Sequence, residues 1–136
     1  MERRVLFVAR FDIDFPDDLV LKLEKLENFD EIAEEMLTEA EPILKKAIIS
    51  EARPHRDTGD MIGSITSQIK KNDIGWFLTT YPRGKDRDGV RNMDKMMYIE
   101  YGTRDKPADP ILSRAVRKAE FSVIAKMQEV FDRYLR

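Results

Sequence analysis

From Phe29 to Ile48 apolar residues return every three or four positions: Phe29, Ile32, Ala33, Met36, Leu37, Ala40, Ile43, Leu44, Ala47 and Ile48. That spacing lines one face of a helix. A stripe this long must be covered by other elements of the chain. Pro42 falls inside it. An interior proline removes a backbone hydrogen bond and costs about 3 kcal/mol. The apolar phase nevertheless runs on from Ala40 to Leu44. The reading is a kinked helix or two nearly coaxial ones.

A second stripe lies near the C-terminus: Leu112, Ala115, Val116, Ala119, Val123, Met127, Val130, Phe131 and Tyr134. Asp109 followed by Pro110 reads as an N-cap and a proline at the first helical position, with the helix running to about Leu135. Elsewhere the period is two. Val5, Phe7, Ala9, Phe11, Ile13 and Phe15 alternate, as in a strand with one buried face. Pro16-Asp17-Asp18 ends that run, and Leu19 to Leu26 reads as a short helix. Ile65, Ser67 and Ile69 alternate, Asn72-Asp73 is turn chemistry, and Ile74, Trp76, Leu78 and Thr80 return as the other arm of a β-hairpin. Met93 to Tyr101 reads equally as helix or strand, with Gly102 suited to a helix C′ position. The expected fold class is α+β in one domain, residues 1–136. A small antiparallel sheet, the N-terminal strand plus the hairpin, packs against a long N-terminal helix and a C-terminal helix.

The chain has 136 residues, enough for one core and too few for two ordinary domains. Lys and Arg number 24 against 26 Asp and Glu, so no global positive field argues for nucleic acid. There is no cysteine, which excludes a disulfide framework and a Cys-type zinc site. No apolar run approaches the roughly 20 residues of a membrane span. The opening apolar stretch is broken by Arg10 and Asp12, which speaks against a signal peptide.

Chemistry-bearing residues form no reactive set. His55 is the only histidine and reads as an exposed loop residue between Arg53 and Arg56. Asp86 and Asp88 flank Arg87 without the spacing of a calcium loop. Gly59 and Gly63 lack the lysine and hydroxyl of a phosphate loop. Arg83, Lys85, Arg87 and Arg91 cluster in the loop Pro82 to Asn92, largely offset by Asp86 and Asp88. That loop has two glycines and no evident apolar anchor, so it is expected to be mobile in the isolated chain. Met93, Met96 and Met97 read as core or interface filler. No metal or cofactor is expected, and no catalysis.

Two short motifs remain. The first is Arg56-Asp57-Thr58-Gly59-Asp60-Met61-Ile62-Gly63-Ser64-Ile65, after Pro54-His55, in which Thr58 can cap a short turn. The second is Tyr98-Ile99-Glu100-Tyr101-Gly102-Thr103, followed by Pro107-Ala108-Asp109-Pro110-Ile111-Leu112. In this order, between two long helices, they resemble a family of tailed-bacteriophage proteins. These are the minor tail components or tail-completion proteins that act at the head–tail junction. The family pattern has a Pro-x-x-Thr-Gly-x-Leu-x-x-Ser-Ile-like motif and a hairpin. An aromatic-Val-Glu-aromatic-Gly-Thr motif and Pro-x-x-Pro then lead into the last helix. Thr58, Gly59, Ser64, Ile65, Tyr98, Glu100, Tyr101, Gly102, Thr103, Pro107 and Pro110 match. Ile111 stands where the family usually has Phe, Arg114 stands where it has a further proline, and the loop before the second motif is longer.

The resemblance implies a structural protein of the virion neck or tail, from a phage or a prophage, assembled in the host cytoplasm. It implies a homo-oligomeric ring, plausibly a hexamer, that meets other neck or tail proteins. Ring contacts are expected at the loop 82–92, at the three methionines and on the far side of the last helix. Glu100 is expected to accept backbone N–H bonds or to meet a neighbouring subunit's arginine, with the aromatics limiting water. Pro107 and Pro110 would fix the angle of the last helix. Two rival readings stand beside this one. The first is a nucleic-acid-binding module that uses Arg83, Lys85, Arg87 and Arg91, touching DNA transiently. The second is a small enzyme with Glu100 as base and His55 or an aspartate nearby.

Overall fold

The structure, a computed structural model, describes Arg10, Phe11 and residues 29–135. Most of the alternating run from Val5 to Phe15 and the short helix expected from Leu19 to Leu26 lie outside the described residues. The stripe that opens the argument forms one continuous helix, α1 (Phe29–Ala52), with Pro42 inside it. It is a single helix, not two. Ile32, Met36, Ala40, Leu44, Ile48 and Ala52 are buried along it, and the inward phase crosses the proline unbroken. Packing of that face outweighs the one backbone bond that Pro42 cannot make.

A single 3-10 turn, Arg53–His55, and a one-turn helix, α2 (Asp60–Gly63), lead into the sheet. Gly59 holds the N-cap position of α2 at φ +94°. Thr58 supports the turn from one residue earlier, its Oγ1 accepting the Asp60 N–H at 3.2 Å. Strands β2 (Ile65–Lys71) and β3 (Trp76–Pro82) form the expected hairpin. Strand β1 (Arg10–Phe11) pairs antiparallel with β3 through Arg10 opposite Thr79 and Phe11 opposite Leu78, giving the order β1-β3-β2. Ile74 does not join the returning strand. It lies in the Asn72–Gly75 turn and is 91 % exposed, because the Asn72 and Gly75 backbones close on each other and the Asn72 side chain takes the Ile74 N–H.

On the inner face of the hairpin Ile65, Leu78, Thr80 and Pro82 are buried, and Ser67 bonds Thr80 across the strands at 2.9 Å. At the hairpin tip Lys71 and the Trp76 indole both donate to Asp30 in the first turn of α1, tying the tip to the helix start. The segment left ambiguous by its sequence is helical, α3 (Asn92–Tyr101). The last helix, α4 (Ile111–Tyr134), lies antiparallel to α1: Arg114 and Lys118 reach Glu51, while Arg133 reaches Glu35 and Glu39. One apolar cluster unites α1, α4, the hairpin, Met61 of α2 and Met96 of α3. The fold is α+β, with the long helix packed on both the C-terminal helix and the hairpin.

Candidate functional site

Helix α3 buries Asn92, Met96 and Glu100, spaced i, i+4, i+8 along its inner face. This spacing carries Glu100 to the start of α4. One carboxylate oxygen accepts the Leu112 N–H at 2.7 Å. The other accepts the Ser113 hydroxyl at 2.7 Å and the Ser113 N–H at 3.4 Å. These amides belong to the first turn of α4, where helix geometry leaves N–H groups without an intrahelical partner. The carboxylate also sits at the positive end of the helix macrodipole. Glu100, only 4 % exposed, is therefore the cap of a helix twelve residues downstream.

Two expectations change here. Asp109 is not the N-cap of α4. Pro110 occupies that position without a side-chain bond, and the Glu100 carboxylate performs the capping. Nor do the tyrosines of the second motif shield Glu100. Tyr98 and Tyr101 are 56 % and 63 % exposed. In a helix, residues three apart share a face, so both rings lie on the side turned away from the core.

The chain between α3 and α4 folds back tightly. The Gly102 N–H bonds the Tyr98 carbonyl, the Asp109 N–H bonds the Ile99 carbonyl, and Thr103 exchanges bonds with Lys106. Gly102 has φ +80°, and a Cβ there would stand 2.7 Å from the Ala108 nitrogen. Glycine is required both by the dihedral and by the close approach. Pro107 and Pro110 flank this turn and are exposed.

Asp109 has a different task. One of its oxygens lies 2.7 Å from His55 Nε2 and the other 2.9 Å from Arg114. Arg114 continues to Glu51 at 2.6 Å, and Lys118 meets Glu51 from the next turn. His55 is thus half-buried and paired, not a free loop histidine. The bond to His55, followed by that to Arg114, lowers the Asp109 carboxyl below its ordinary value. Lys118 and then Arg114 do the same for Glu51. This chain of charges joins the first motif, the Pro107–Pro110 turn, α4 and α1.

The loop after β3 is likewise built from polar anchors. Asp86 Oδ1 accepts the Asp88 and Val90 N–H groups, while Oδ2 accepts Lys95 of α3. Arg87 forks onto both oxygens of Asp60, and its own N–H adds a third bond. These bonds hold the Asp60 carboxyl far below the usual carboxylate range. Lys85 and Arg91 form a bridge across the loop, and the Asn92 backbone N–H and side-chain amide bond the Gly84 and Arg83 carbonyls. Of the loop's apolar residues Val90 is exposed, whereas Pro82 at its start is fully buried and anchors it to the sheet. Hydrogen bonds brace the rest of the loop.

The basic cluster consequently disperses. Arg87 is bound to Asp60, and Arg83 lies over the Tyr81 ring at 4.6 Å with Nε and Nη2 buried. Of the four, Lys85 and Arg91, the two residues of the bridge, are exposed and have no ion pair among the described residues. Asp86 is engaged as an internal cap, not held open toward a cation. Among the described residues no group of three or more His, Asp or Glu side chains is placed to share a metal ion. No described helix is long and apolar enough to cross a membrane.

Among the remaining motif residues, the Ser64 hydroxyl bonds the Met61 carbonyl and Ile65 is buried, both closing α2 onto β2. Between the first motif and α3 a cleft of about 60 Å³ opens beside His55, Thr58, Gly59, Lys95 and Ile99. It has room for no more than a few waters, whereas sites for small-molecule ligands run to roughly 300 Å³ or more. The sequence signals missed Glu51, Asp60, Asp109, Arg114 and Lys118. Their partners lie 27 to 67 residues away, apart from Arg114 with Asp109, and no local spacing marks them. Compared with known proteins, the chain matches no family model, no curated protein and no solved structure.

Proposed function

We propose that this chain is a structural assembly protein of a tailed-phage or prophage neck or tail, joining head to tail as part of a ring. It acts by shape and contact, without turnover. The motif resemblance supplies the family, and one observation carries the mechanism. The second motif turns its carboxylate inward to cap α4 and turns Tyr98 and Tyr101 outward. A general base must reach a substrate proton, whereas the Glu100 oxygens are held by α4 donors. Exposed tyrosines on a rigid frame suit a contact surface, since they bring large area at little entropic cost.

In the ring, the surface around Tyr98, Tyr101 and the braced loop 83–92 meets the next subunit or the adjoining neck layer. A head-to-tail contact closes only at a defined rotation, so frames that fix angles are favoured over flexible ones. The test is placement in particles. The gene is deleted and separately tagged in the phage or induced prophage, and purified particles are imaged by electron microscopy. Tail-less heads on deletion, with the tag at the junction of complete particles, are expected. Normal tailed particles lacking the protein would overturn the reading.

A further inference from the structure

The hairpin ends in an apolar residue that its turn does not need. Ile74 sits in the Asn72–Gly75 turn and is 91 % exposed. Turn positions are ordinarily filled by Gly, Pro, Asn, Asp or Ser, each for a backbone reason that isoleucine does not supply. The tip is also braced. Asn72 Oδ1 accepts the Ile74 and Gly75 N–H groups at 2.8 and 3.1 Å, and Lys71 and Trp76 on either side of the turn bond Asp30. A preformed knob of this kind loses little freedom when it is bound. Asp73 stands beside Ile74, exposed and without an ion-pair partner among the described residues.

A groove of about 530 Å³ runs along the second half of α1. Among the described residues, Pro42 and Ile49 are its apolar lining, Lys45, Lys46 and Arg53 its cations, and Glu41 its one acid. None of the three cations has an ion-pair partner among the described residues. We infer that the Asp73–Ile74 tip of one copy seats in the α1 groove of a second copy, with Ile74 against Pro42 and Ile49 and the Asp73 carboxylate among the cations. The two surfaces match twice over, apolar to apolar and unpaired acid to unpaired base. A chain cannot seat its own tip. The tip is tied to Asp30, and the groove lies around Lys46, roughly 25 Å further along α1. Both halves of the contact are therefore present in every copy, and only another copy can join them. Knob and groove are different surfaces, so the contact is head-to-tail.

A hairpin tip buries less than the roughly 1,600 Å² of a standard interface, so the self-affinity falls in the micromolar range. The contact stands on the surfaces of the chain and not on the head–tail reading. It uses neither Tyr98, Tyr101 nor the loop 83–92. It is read on the purified chain alone, so its failure and the failure of the particle experiment are separate outcomes.

The experiment is sedimentation equilibrium of the full chain from about 5 to 500 µM, the range that brackets micromolar association. Reversible self-association is expected. Ile74→Lys, which removes the knob and brings a cation to a basic groove, should weaken it about 10-fold or more. Lys46→Glu combined with Arg53→Glu should weaken it as much, by setting like charge against Asp73. All three side chains are exposed, so the thermal transitions of both variants should stay in place. An equimolar mixture of the two variants should form a 1:1 complex that neither forms alone, because the intact groove of the first takes the intact tip of the second. Three outcomes overturn the inference. One is a chain that stays monomeric throughout the range. Another is an association that survives Ile74→Lys and needs only the cations, as bridging by a polyanion such as nucleic acid does. The third is a mixture that associates no more strongly than its components.

Discussion

Where α1 finishes and α4 begins, the buried Glu100 carboxylate takes the N–H of Leu112 and the hydroxyl of Ser113, and Asp109 ties His55 to Arg114. At the opposite end of the same helix pair, Arg133 meets Glu35, Glu39 and Glu129, and Tyr134 donates to Glu35. Both ends are held by carboxylates, yet the two cannot be worth the same. A buried carboxylate that satisfies helix amides leaves several donors stranded in a dry site when it is removed. Exposed ion pairs exchange one solvated arrangement for another. The motif end is therefore the firm end, although its polar residues look no more special in composition than those at the far end.

The largest effect should come from Glu100→Ala, which strands donors of the α4 first turn and should cost about 3 kcal/mol in urea unfolding. Glu100→Gln keeps one acceptor for the Leu112 N–H and should cost about 1 kcal/mol. Equal losses for the two would mean that the cap is not what matters. Gly102→Ala should follow at about 2 kcal/mol. The +80° dihedral and the approach to Ala108 both oppose a Cβ, and the loss should appear in the same unfolding measurement. Asp60→Asn should leave the global transition nearly in place. It should still speed hydrogen exchange in the loop 83–92, where Arg87 loses its fork; unchanged exchange would place the loop's anchorage in Asp86 alone.

pH separates the two ends further. Asp60, Asp86, Asp109 and Glu51 all have carboxyls lowered in the folded chain, and so does Glu39 at the far end. The unfolded chain therefore takes up protons first. These contributions are complete above the ordinary values of 3.8 and 4.5, and drain away as pH falls below them. Acid should loosen both ends. Alkali should separate them. Tyr134 is pushed up from 10.0 to about 12, chiefly by its bond to Glu35. Its raised value gives stability that is full below 10.0 and lost as pH rises toward 12. A comparison of wild type with Tyr134→Phe across that range should show a small alkaline loss in wild type alone. The smallest effect is expected from Arg133→Ala at neutral pH, a shift in melting temperature well below that of Gly102→Ala.

The same contrast explains what could be read in advance. Helices α1 and α4 and the hairpin announce themselves because burial of apolar side chains imposes periods of 3.6 and two. Helix α3 does not, since its inner face is Asn92, Met96 and Glu100 and offers no apolar stripe. Ile74 misled because an apolar residue in phase with a strand says nothing of where the turn closes. Asp109 before Pro110 is a sound local cap signal, overridden by a carboxylate that arrives from another helix. The site was legible as motifs: Glu100 as an acceptor of backbone N–H bonds was an expectation, and Leu112 and Ser113 as its donors were not. Pairs such as His55 with Asp109 are joined only by the fold, 54 residues apart.

The claim beneath this account is that Glu100 is a helix cap, and the Leu112 amide reports on it directly. Native-state hydrogen exchange, followed by NMR on wild type and Glu100→Ala under conditions where both are folded, reads that one proton. The account predicts a strongly protected Leu112 N–H in wild type and exchange faster by about 30-fold or more in the variant, the kinetic image of a lost buried bond. Amides in the middle of α1 should change little. A Leu112 amide that exchanges freely in wild type, or one equally protected without the carboxylate, would contradict it.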